Sequence, residues 1–204
     1  NKLMFIDGID EGSIIKKKPN LNIDFLVTPY FGATKINGSF KHFYGEKFFI
    51  ISNKFKRELK KETKQTIQNC LVTFGQSDPY LITEFVLNGI ITNNNLKQMN
   101  FKIILGSLFD SERINNLIDN NKYLQNKINF IQKPDNLNKY YLWADIAISG
   151  SGLTKYELAY FGIPSLIISM NSLDELIQKK FDKYKVALHI GSINQINDLI
   201  ISKN

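Results

Sequence analysis

The sequence predicts an α/β protein: a parallel sheet with helices on both faces, preceded by the incomplete end of another α/β unit. Three observations predict it. From Cys70 onward, short apolar runs rich in β-branched residues alternate with longer helical patterns, the rhythm of repeated βα units. The runs are continuous rather than alternating, as in strands buried on both faces. The segments between them carry turn residues: Gly106-Ser107, Lys133-Pro134-Asp135, Gly162-Ile163-Pro164 and Gly191-Ser192.

Taken in order, the first third is strand-like without helices. "KLMFID" and "IDFLVT" read as strands, and "KFFIIS" at 47–52 as a third. No amphipathic stretch of helix length separates them. Some 65 residues of this kind make a poor independent core. Residues 1–66 therefore read as the remnant of a first domain plus a linker, the linker being the charged, core-poor stretch 53–68. Residues 67–204 read as a second domain. Its strands are expected at 70–74, 101–105, 128–131, 146–149, 165–169 and 187–190. Its helices are expected at 79–92, 111–121, 137–143, 154–161, 173–184 and 195–202. The chain opens on Asn1 and runs almost at once into a strand, so further residues are expected upstream.

Composition narrows the class. The hydrophobic fraction is 43% and the charged fraction 22%, ordinary for a globular protein. No apolar run approaches the roughly 20 residues a membrane helix needs, and Lys2-Leu3-Met4-Phe5-Ile6 meets Asp7 without a signal-peptide core. The net charge of +7 is spread over the chain, dense only at Lys16-Lys17-Lys18 and over 53–64. That scatter reads as biased composition rather than a polyanion stripe, and no nucleic-acid partner is expected. The single cysteine, Cys70, excludes an internal disulfide, fits a reducing cytoplasmic setting, and reads as a small core residue.

Two turns carry chemistry. At the first, "AISGSGLTKYE", a strand stops at Ser149-Gly150-Ser151-Gly152 and a helix follows through Leu153 and Thr154. In a parallel sheet, ligands sit beyond the carboxyl ends of the strands. A turn of small residues lets the backbone approach a ligand closely. The helix that follows offers unpaired N–H groups and a positive dipole end, which suit a phosphate. Glu157, one turn in, suits two vicinal ribose hydroxyls or simply complements the dipole. At the second turn, "LVTFGQSDPY", a strand leads into Gly75-Gln76-Ser77-Asp78, with Pro79 expected at the first helical position and Asp78 as its cap. Neither turn matches the dinucleotide fingerprint or the phosphate loop that ends Gly-Lys-Ser/Thr, so no cofactor is expected. His189, Asp145 and Trp143 read as structural, Asp7 either faces a crevice or caps the Asp7-Gly8 turn, His42 falls in an aromatic-rich stretch with no role assigned, and no cysteine–histidine cluster suggests a metal.

These stretches, with the Pro134-Asp135 turn, resemble the nucleotide-binding half of two-domain GT-B proteins of the MurG-like superfamily. Within it the chain resembles the UDP-sugar hydrolases of pseudaminic acid synthesis, which act on UDP-2,4-diacetamido-2,4,6-trideoxy-altropyranose, and the related spore-coat polysaccharide glycosyltransferase-like proteins. "KLMFIDGID", "IDFLVTPYFGA", Tyr44 and "GEKFFIISNKF" resemble the end of that family's first domain. The resemblance implies a Rossmann-like domain that binds a UDP-sugar. Gly75, Gln76, Ser77 and Ser149–Thr154 would hold the diphosphate, Glu157 the ribose, and the backbone near Ile131 and Gln132 the uracil edge. Two features of the family are not reproduced: an early Gly-Gly-His loop, and an Asn-Gln pair where this chain reads Asn171-Ser172-Leu173-Asp174. The implied activities are UDP-sugar hydrolysis in surface-polysaccharide or nonulosonic acid synthesis, glycosyl transfer from a UDP-sugar, or nucleotide binding alone in a degenerate module.

Overall fold

A computed structural model of the chain describes residues 1–8, 13–55, 66–124 and 126–195. It contains two parallel sheets. The smaller has the order β1 (Met4–Ile6), β2 (Phe25–Thr28), β3 (Lys41–Tyr44). One helical turn, α1 (Ile14–Lys17), lies between its first two strands. Ser13 caps that turn, and the buried Asp7 carboxylate accepts from the backbone N–H groups of Gly8, Ile14 and Ile15 and from the Ser13 hydroxyl. Burial pushes the Asp7 pKa up, but these donors outweigh it and hold the group below the usual carboxylate range.

The third strand falls at 41–44 rather than at the expected 47–52. Glu46–Phe48 forms a single 3-10 turn instead. The apolar run after it has another destination: the Phe49 ring stacks on Tyr156 at 4.4 Å, and Phe48 packs edge-on against Phe43. Apolar side chains drawn to aromatic partners elsewhere do not need a sheet. The strand actually used, "KHFY", mixes polar and aromatic residues and gives a weaker sequence signal.

The larger sheet carries the expected βα units. Its strands are β4 (Asn69–Thr73), β5 (Asn100–Leu105), β6 (Ile128–Gln132), β7 (Ile146–Gly150), β8 (Ser165–Ser169) and β9 (Leu188–Ser192), in the order β6-β5-β4-β7-β8-β9, all parallel. The helices are α2 (Ile82–Thr92), α3 (Ser111–Asn120), α4 (Asn138–Trp143), α5 (Thr154–Phe161) and α6 (Ser172–Lys183). The last strand lies one residue later than expected at its start. The expected helix 195–202 lies outside the described residues apart from Gln195, as does most of the expected linker 53–68.

Strand alternation decides which helix covers which face. Cys70 and Val72 pack with Ile103, Leu105 and the α2–α3 residues Ile82, Val86, Ile114 and Leu117. Leu71 and Ala147 face the opposite way, against Tyr140 and Tyr141 of α4 and Leu158 and Phe161 of α5. Ile167 continues that second face under Tyr156 and Phe181. Cys70 is a core residue, and burial pushes its thiol up to about 12, far from a reactive thiolate. The small sheet's flank docks on the second face: Tyr30 packs on Tyr156, and Phe31 on Phe181 and Tyr184. Among the described residues no helix is long and apolar enough to cross a membrane.

Candidate functional site

Strand order locates the site. The chain runs outward from β4 to β5 and β6, then returns across the sheet to β7 and continues outward to β8 and β9. The reversal falls between β4 and β7, and ligands of such sheets bind beyond the carboxyl rim at a point of this kind. Thr73 pairs with Ser149 in register. The two turns singled out in the sequence therefore lie side by side at one rim, at this switch point.

The backbone of both turns is available. Gly75 adopts φ +84, a left-handed conformation natural to glycine. Gly75 and Gln76 are exposed and Ser77 half-buried. Gly152 is exposed, and a Cβ added there would meet nothing within 4 Å. Gly150 closes β7, buried against Met170. Leu153 stands at the cap position of α5 without a side-chain cap, 59% exposed. Among the described residues the N–H groups of Gln76, Gly152, Leu153 and Thr154 have no hydrogen-bond acceptor, and that of Ser77 makes no bond of good geometry.

The side chains behave differently from the backbone. Ser151 is buried and turned inward, its hydroxyl accepting from the Met170 N–H at 3.4 Å. The Ser149 hydroxyl is buried with no partner among the described residues. Gln76 is engaged by the Ser107 hydroxyl, a short contact. Pro79 is not the first helical residue: α2 starts at Ile82, after Asp78 and Leu81 at φ +42 and +56. Asp78 still caps the helix, its carboxylate accepting from the Ile82 and Thr83 N–H groups at 3.1 and 2.8 Å. Fixing the cap four residues ahead of the helix stretches the turn and displaces the helix start.

Glu157 is half-buried, and its Oε2 accepts from the Tyr141 hydroxyl at 2.5 Å. Tyr141 is fully buried. Burial and the facing carboxylate push the phenol's pKa well up, so it stays protonated and donates. This fixes the carboxylate's orientation. Sequence reasoning missed Tyr141: it sits on α4, 16 residues away, in a run of aromatics that reads as packing. Ile131 and Gln132 close β6 at the same rim, two strands from β4. A cavity of 520 Å³ opens beside Gln132, lined by Lys133, Asp135, Asn138 and Tyr140.

The histidines lie outside this constellation. His42 Nδ1 accepts from the Ile36 N–H, which leaves Nε2 to donate to Thr28 Oγ1 at 2.8 Å. Burial holds its pKa down, against the pull of Asp7. His189 Nε2 lies 2.9 Å from Ser169 Oγ. Asp145 accepts from the Gln68 and Asn69 N–H groups and fastens the start of β4.

Fold and rim together define a Rossmann-like α/β protein whose two glycine-bearing turns are neighbours at the carboxyl rim of its sheet. No family model matches the chain. It is 27% identical over 210 residues to an uncharacterized protein of Methanocaldococcus jannaschii, MJ1062, covering 97% of this chain and 41% of that protein. It is 26% identical over 158 residues to the spore coat polysaccharide biosynthesis protein SpsG of Bacillus subtilis, covering 76% of this chain and 45% of that protein. The chain thus spans less than half the length of the relatives it matches.

Proposed function

We propose that this chain is the UDP-sugar-binding half of a GT-B-type protein, acting in surface-polysaccharide or nonulosonic acid synthesis. One observation carries the reading: two turns with unengaged amides meet at the switch point of a parallel sheet. The diphosphate oxygens accept from the N–H groups of the Gly75–Asp78 and Gly152–Thr154 turns, with the α5 dipole behind them. Glu157 accepts from the ribose hydroxyls through the oxygen that Tyr141 leaves open. The uracil edge lies near Ile131 and Gln132, beside the polar cavity at the end of β6. The likeness to SpsG supports a role in polysaccharide biosynthesis.

The reaction we favour is hydrolysis. Water attacks the sugar's anomeric carbon and releases one proton to solvent, the bond to the diphosphate oxygen breaks, and UDP departs with the electron pair. Transfer to an acceptor hydroxyl uses the same grip. In this reading the catalytic group is assigned to a first domain of which β1–β3 form the closing part. This chain alone is therefore expected to release little UDP from UDP-sugars, and brisk release would overturn that division of labour.

Calorimetric titration with UDP tests the grip. Glu157→Ala removes hydrogen bonds to a charged acceptor, together about 1.5–3 kcal/mol, and is expected to weaken UDP binding roughly 10- to 100-fold. Tyr141→Phe keeps the ring but frees the carboxylate, and a smaller loss is expected. Equal affinity in wild type and Glu157→Ala would remove the ribose role.

A further inference from the structure

The Gly75–Asp78 turn is braced from outside itself. It leans on the neighbouring turn after β5. A Cβ at Gly106 would collide with the carbonyl oxygens of Gly75 and Gln76, so only glycine permits this backbone-on-backbone contact. The Leu108 N–H donates to the Gln76 carbonyl at 2.9 Å. Arg113, on the first turn of α3, closes the arrangement. Its Nη1 donates to the carbonyls of Ser77 and Asp78 at 3.3 and 2.9 Å. Its Nη2 donates to the Asp78 carboxylate at 3.0 Å, and Nε and Nη2 together grip Glu84. Its guanidinium carbon lies 4.5 Å from the centre of the Phe109 ring. The Arg113 side chain is 16% exposed and that of Asp78 fully buried.

Peptide geometry gives these contacts a direction. The described chain has no cis peptide bond, and in a trans peptide the N–H points opposite to the carbonyl before it. The Gln76 carbonyl is held by Leu108, so the Ser77 N–H faces away from the β5 side. The Ser77 carbonyl is held by Arg113, which fixes the next peptide of the same turn. β4 has β5 on one side and β7 on the other. Away from β5 is toward β7 and the turn that follows it.

We infer that Arg113 is a positioning residue that fixes the Gly75–Asp78 turn so that its Ser77 amide faces the ligand's phosphates. This rests on the nucleotide reading above and assigns that reading a part the rim residues do not supply. Arg113 itself stays behind the turn and touches no phosphate. A planar fork that serves two carbonyls and two carboxylates at once is not replaceable by lysine's point charge.

The test uses Arg113→Met, which keeps the stem on Phe109, and Arg113→Lys. Each variant is titrated with UDP and with uridine, which lacks phosphates, and ¹⁵N order parameters are measured for Ser77 and Asp78 without ligand. Arg113→Met is expected to weaken UDP binding about tenfold, the scale of one charge-assisted hydrogen bond, and to leave uridine binding unchanged. The order parameters are expected to fall from about 0.85 to below about 0.6. Arg113→Lys is expected to lie between, and it carries the test if the methionine variant does not fold. A parallel loss of UDP and uridine affinity would mean a role in stability alone and would overturn the inference. So would unchanged UDP affinity in a folded variant. If wild type binds neither ligand, the nucleotide reading fails by itself, and the order parameters alone decide whether Arg113 fixes the turn.

Discussion

Replacing Gly152 by leucine is expected to leave the melting temperature unchanged and to weaken UDP binding by about a hundredfold, near 3 kcal/mol. Gly152 is exposed, its φ is not left-handed, and a Cβ there has open space around it. A leucine side chain fits the free protein but fills the space over the unengaged amides that follow β7. Loss of fold and loss of site are thereby separated. Ser151→Leu, one residue earlier in the same turn, does not separate them. Ser151 is 3% exposed and hydrogen-bonded beneath Met170, so a larger side chain there disturbs packing first. Calorimetry with UDP and a thermal melt check the prediction together. A Gly152→Leu chain that binds UDP as wild type does would place the diphosphate elsewhere.

The second large effect concerns stability. Lys155, in the first turn of α5, is 2% exposed. Its ammonium lies 4.9 Å from the centre of the Phe181 ring and 5.6 Å from that of Tyr156. Among the described residues it makes no salt bridge or hydrogen bond. Burial lowers its pKa from 10.5 to about 8, with Asp174 pulling weakly the other way. The folded chain thus holds this proton less tightly than the unfolded chain. Below about pH 8 both states carry the charge, and folding bears the full cost of burying it. Between about pH 8 and 10.5 the unfolded state binds more protons, so stability rises with pH. Above that range the cost is gone. Lys155→Met keeps the apolar stem and removes the charge. It is expected to stabilise the chain by about 2–3 kcal/mol at pH 7, and the gain should shrink toward zero near pH 10.5. Burial pushes the Tyr141 and Tyr156 phenols up, which gives an opposite slope at high pH. Urea titrations should therefore be read as the difference between wild type and variant, in which the tyrosines cancel. A Lys155→Met chain less stable than wild type at pH 7 would refute the account.

Much of the larger sheet was legible because its signals are local. A parallel strand covered on both faces must be continuously apolar, and each βα turn needs small or capping residues. Those constraints act within a few residues, so "CLVTF", "FKIIL", "IAIS" and "SLIIS" announce themselves. Legibility failed where an apolar run had two possible destinations. "KFFIIS" satisfies strand propensity, yet Phe49 stacks on Tyr156, more than 100 positions along the chain. It failed again at Pro79, where local helix-start rules gave way to the Asp78 carboxylate four residues ahead of the helix.

The candidate site divides along the same line. Sequence alone determined that two glycine-bearing turns end strands and precede helices, and that Glu157 follows one of them, because backbone conformation at a turn is set by the residues in it. Tertiary structure alone decided that these turns are neighbours, since strand order depends on how the whole chain crosses over the sheet. It also decided that Tyr141 fixes Glu157, that Arg113 braces the first turn, and that Lys155 is buried without a salt bridge among the described residues. Each of those depends on which side chain lies across a gap, and only packing sets that distance.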